Sequence, residues 1–173
     1  IRPSRGLGDV YKRQQQGLPS SVKVLNFPQI NICMKDEYTS AFFDIVKEAS
    51  ETTGYQLPLE IESYVVMLLA DKIDNPNFLP KTTFAQELFE IQNHRLKGKE
   101  LGDTALFLSG VFPEYCENKV SVSYFVEIGS TSYTMCSKHL HSDLFEALSG
   151  NFNFIREFIN VTVRKPNPLL HIG

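Results

Sequence analysis

Long apolar runs, paired cysteines and the compact signatures of familiar catalytic sites are all missing from this chain. Its three cysteines, Cys33, Cys116 and Cys136, form no CxxC pair. An odd, scattered set is unlike the disulfide framework of a small secreted domain, and a reducing cytoplasm is the expected compartment. The longest purely apolar run covers only residues 65–70, against the roughly 20 residues that span a bilayer, so no membrane partner is expected. There is no HExxH and no pair of ExxH motifs, which removes the zinc proteases and the di-iron bundles. GxxxxGK[ST] and GxSxG are missing too, so neither a P-loop nor a serine-hydrolase elbow is supported. No catalytic residue, no metal ligand set and no cofactor is assigned. No internal repeat appears, which argues against a solenoid.

What is present begins with a foreign-looking stretch. Residues 4–14, SRGLGDVYKRQ, resemble the in-frame translation of a transposase-type sequencing adapter, in which GAT GTG TAT AAG AGA CAG reads Asp9-Val10-Tyr11-Lys12-Arg13-Gln14. Residues 1–14 are therefore expected to be adapter-derived, not natural protein, and not to pack on the domain. Two lures go with them: Gly6-x-Gly8 is not half of a phosphate loop, and Arg2, Arg5, Lys12 and Arg13 are not a nucleic-acid arm. The first residue is not Met, and a translated fragment without its true N-terminus is expected. Setting aside these 14 of 173 residues leaves 159, and removes four basic groups and one acidic group, so the formal charge moves from −3 to −6. An acidic chain of this length suits one domain, and it disfavours phosphate backbones and anionic membranes as partners.

Apolar periodicity then predicts an all-α, single-domain bundle of about six or seven helices over residues 36–164. It is preceded by an irregular segment, 15–35, and followed by a tail, 165–173, in which Pro166 and Pro168 oppose a helix. Tyr38, Phe42, Ile45, Val46 and Ala49 mark a first helix stopped by Gly54. A second follows Pro58 and ends at Asn75-Pro76. Thr83 and Gln86 form a capping box for a third, through Leu96, with Gly98 as its end. Residues 101–111 are short and very apolar and form the expected central helix, stopped by Pro113. Residues 120–128 alternate as a strand would, yet no second alternating run exists to pair with them, so one continuous helix over 120–140 is expected. Ser142 and Asn151 are the expected caps of two more. The core should hold Phe42, Ile45, Tyr64, Leu68, Leu106, Ile128, Phe154 and Phe158.

Three clusters carry chemistry-bearing side chains. Cys136-x-x-His139-x-His141 has metal-type ligands but no second paired motif, and a buried thiol with two histidines at a negative helix end is the simpler reading. His94-Arg95-Leu96-Lys97-Gly98-Lys99 reads as cations favouring the C-terminal dipole of the third helix, too few and too poor in aromatics for nucleic acid. The third cluster draws on distant segments: Asp103 is a plausible acceptor for buried phenols at Tyr124 and Tyr133. A polar pocket lined by Asp103, Tyr124, Tyr133 and His139 is the functional version, and a satisfied tyrosine–carboxylate bond in the core the structural one. Asn160-Val161-Thr162 matches a glycosylation sequon, by chance in a cytoplasmic helix.

The pattern LGDxALFLSGxFPE at 101–114, followed by VSxSYF…G…SY at 120–133, resembles an uncharacterised group of bacterial helical proteins. The resemblance implies a bacterial, cytoplasmic, all-α protein and transfers no catalytic residue. The reading preferred from sequence is a non-enzymatic interaction or regulatory domain with a protein partner, no nucleic acid and no membrane. The rival is a small-molecule-binding or enzymatic domain built on the Asp103, Tyr124 and Tyr133 region. No oligomeric state is assigned.

Overall fold

A computed structural model describes residues 34–75, 77–91 and 95–164. The expectations for residues 1–14, 15–33 and 165–173, and for Cys33 and His94, lie outside the described residues. Within them the chain is all-α: eight helices and no strand. The helices are α1 (Met34–Thr53), α2 (Leu59–Asp74), α3 (Phe84–Glu90), α4 (Arg95–Val111), α5 (Pro113–Lys119), α6 (Val122–Leu140), α7 (Asp143–Gly150) and α8 (Phe152–Arg164). None of them is long and apolar enough to cross a membrane.

Local signals set several of the boundaries. Gly54, at φ +71°, ends α1, and its N–H donates to Ser50 O at 3.0 Å. Pro58 precedes α2, and Asn75 closes it. The Thr83–Gln86 capping box is complete in both directions, satisfying two of the amides that a helix start leaves free. Residues 120–140 are helical as expected except at their start: Val120 and Ser121 stay outside, and α6 begins at Val122 with the Ser121 hydroxyl accepting from Tyr124 N. Val and Ser are poor helix formers, and a serine that caps is worth more than one inside.

Other boundaries differ from expectation. The third helix stops at Glu90, and Gly98 is a buried interior position of α4, because its missing side chain leaves room for Cys136 Sγ and Ile91. The basic cluster of Arg95, Lys97 and Lys99 therefore opens a helix and does not close one. Cations there oppose the dipole; Lys97 reaches Glu90 at 3.9 Å and Lys99 reaches Asp103. Pro113 does follow the end of α4 at Val111, as expected, and it also occupies the first turn of α5, where its lack of an N–H costs no hydrogen bond. Ser142 precedes α7 without a side-chain cap bond. The Asn151 amide turns back to Ala147 O at 2.9 Å.

The most extensive helix pairing is α4 with α6, and α4 also touches α2, α3, α5 and α8. It is the central helix: Ala105, Leu106 and Leu108 have no exposed surface. Gly129 brings α6 close, since a β-carbon there would overlap the Phe152 ring and come within 3.1 Å of Ala105 Cβ. On α8, side chains serve α4's final carbonyls: Asn160 Nδ2 donates to Gly110 O at 2.9 Å, and Arg156 to Ser109 O at 3.5 Å. Seven of the eight expected core residues are buried or packed against the core, Tyr64 being half-buried. Phe154 is not one of the seven. It is 42% exposed, edge-on to Tyr55, because the buried stripe of α8 runs Phe152, Ile155, Ile159, Thr162.

Candidate functional site

Asp103 lies one turn after Lys99 on α4, so the two share a face. Gly102, beside it, has no side chain, and the Tyr133 ring of α6 occupies that space; a β-carbon would lie 2.6 Å from its Cε1. From α2, Tyr64 enters between buried Ile61 and Leu68. All three partners converge on one carboxylate that is only 5% exposed. Tyr64 Oη donates to Asp103 Oδ1 at 2.5 Å, Tyr133 Oη donates to the same oxygen at 2.7 Å, and Lys99 Nζ donates to Oδ2 at 2.6 Å. Phe145 packs edge-on against Tyr64 and tilted against Tyr133, and the Lys99 ammonium stands 5.3 Å from the centre of the Tyr64 ring.

Charge-assisted bonds of this length are strong, and burial strengthens them further. Burial first, and then the Asp103 charge, push both phenols above their ordinary range. They remain neutral donors and cannot serve as phenolate nucleophiles at neutral pH. Asp103 has both oxygens engaged, which leaves it poorly placed as a general base. Such a cluster ties α2, α4 and α6 together, and its chemistry is that of a structural clasp.

Of the four residues read from sequence as lining a pocket, two meet here, Asp103 and Tyr133. Tyr124 does not join them. It sits nine residues before Tyr133, two and a half turns, which places it on the opposite side of α6; it is half-buried, edge-on to Phe125. His139 is exposed near the end of α6. Cys136 is buried apart from it, its thiol pushed up to about 11 by burial and then by Asp103. No group of three metal-type ligands occurs among the described residues. Sequence reasoning missed Lys99, whose spacing from Asp103 was visible. It also missed the role of Tyr64, which lies 39 residues away from Asp103 with no local signal joining them.

Two cavities flank the clasp. The first, about 680 Å³, lies among α2, α4 and α7, with Tyr64, Met67, Leu68 and Leu144 on its walls and Lys99 and Asp103 at its base. Leu59 and Met67 stand 73% and 54% exposed along it. The second, about 650 Å³, lies on the other side of Lys99 and Asp103 and is walled by Lys72, Phe78 and Thr104. Comparison of the chain with protein-family models, with curated proteins and with solved structures returns no match.

Proposed function

We propose that the domain is a non-enzymatic protein-interaction module whose first cavity is a groove for an amphipathic helix with basic residues at both ends of its apolar face. The reading rests on one observation: a mostly apolar groove flanked by exposed Leu59 and Met67 and bordered by two acids, Glu60 and Asp71. An exposed apolar patch with a polar rim is a common mark of a binding surface. Glu60 and Asp71 are eleven residues apart on α2, about 16 Å and very nearly the same face. Neither joins an ion pair among the described residues. A partner helix with Lys or Arg at i and i+11 and apolar residues between them matches that spacing, in the mode by which helices lie in grooves. Both phenols of the clasp already spend their protons on Asp103, so few polar groups are left to orient a small ligand or to do chemistry.

The test uses a designed helical peptide with that pattern, labelled for fluorescence anisotropy. Binding should weaken roughly tenfold or more on Met67→Glu. It should fall likewise on the double change Glu60→Lys, Asp71→Lys, and return when the peptide's lysines become glutamates. Binding indifferent to these changes overturns the proposal. A concentration-dependent dimer abolished by Met67→Glu also overturns it, since the occupant would then be a second copy of the chain. Displacement of the peptide by small apolar compounds alone would favour a ligand pocket instead.

A further inference from the structure

Lys72 is 8% exposed, on the inner side of α2, although lysine is almost never buried unless paired. Among the described residues its ammonium makes no hydrogen bond and no ion pair, and its nearest company is the face of Phe78, 5.3 Å from the ring centre. It opens into the second cavity, which has room for a small molecule and is lined by three further lysines, Lys81, Lys97 and Lys99, and by four acids, Asp71, Glu87, Glu100 and Asp103. Two of the lysines are engaged, Lys97 with Glu90 and Lys99 with Asp103. Lys81 is in no ion pair among the described residues. We infer that Lys72 is a covalent capture site for a small carbonyl compound, such as an aldehyde, held as an imine on Nζ.

The chemistry requires an unprotonated amine. Holding a charge out of water with no hydrogen bond made to it is costly, so a buried lysine tends to lose its proton. The groups that face Lys72 pull both ways: Asp103, Asp71 and Glu100 favour its charged form and Lys99 opposes it, while burial outweighs them all and lowers its pKa. In the reaction the Nζ lone pair attacks the carbonyl carbon, forming a C–N bond as the C=O π pair moves to oxygen. Proton transfer from nitrogen to that oxygen gives a carbinolamine. Loss of the hydroxyl with the second amine proton, as water, leaves C=N. No oxidant or reductant is consumed. Desolvation beside another cation is a recognised way to activate an amine nucleophile.

The experiment incubates the full chain with glyoxylate and cyanoborohydride, which reduces the imine to a stable secondary amine, and maps modified lysines by peptide mass. Lys72 should be modified about fivefold or more ahead of exposed Lys47 and Lys138, and the preference should vanish in urea. Lys72→Met, checked for helicity, should leave the other lysines unchanged. Labelling of Lys72 no faster than that of the exposed lysines overturns the inference.

Discussion

Asp103 takes three donors on two oxygens, and removing it strands two phenols. Asp103→Ala should cost about 3 kcal/mol or more in urea unfolding, since each buried donor left without an acceptor costs about 1–3 kcal/mol. Asp103→Asn, which retains one acceptor oxygen for the phenols, should cost visibly less; equal losses would mean that the carboxylate is not holding the phenols. The raised phenols also fix a pH dependence. Their folded values lie above 10.0, the ordinary tyrosine value, so the unfolded chain loses its protons first. The stabilisation is complete below pH 10 and declines as pH rises beyond it. Tyr64→Phe and Tyr133→Phe should each flatten that alkaline decline, and an unchanged slope in both would sink the clasp. The pairing of Asp103 with Tyr133 was legible because a buried phenol needs an acceptor. Tyr124 was placed with them by residue type, although the helical period already set it on the other face.

At the scale of the element, legibility followed the range of the cause. Gly54, the Thr83–Gln86 box and the Asn75 stop act within one turn and could be read directly. Helix 120–140 was readable by exclusion, because no second strand existed to pair with it. Gly98 was not readable as interior, since what carries α4 through it is packing against Cys136 and Ile91, from other helices. The stripe of α8 was misjudged in the same way: Phe152 and Phe154 are chemically identical, and contacts with Gly129 and Tyr133 pick Phe152 for the core. Gly129→Ala tests that contact. Alanine favours a helix by about 1 kcal/mol over glycine, whereas overpacking against Phe152 and Ala105 costs about 1–3 kcal/mol. A net fall in Tm is expected; a rise would show that α6 and α8 are less closely packed than described.

Taken whole, the molecule is arranged around α4, which meets five other helices. Leu106, with no exposed surface, is its most economical probe. Leu106→Ala should destabilise by about 2–5 kcal/mol. A cost below about 0.5 kcal/mol, the range of ordinary surface changes, would contradict a central position for this helix. The all-α class and the central helix were legible from periodicity and apolar content. The order of assembly was not, because it depends on which helices touch. Outside its own hairpin with α2, α1 rests chiefly on α8, and α8 also serves the carbonyls of Ser109 and Gly110 in α4's last turn. During synthesis, α1 through α7 would therefore leave the ribosome before the surface that completes them exists. Folding of this domain is expected to wait for Phe152–Arg164, with its unfinished helices exposed to chaperones until that segment arrives.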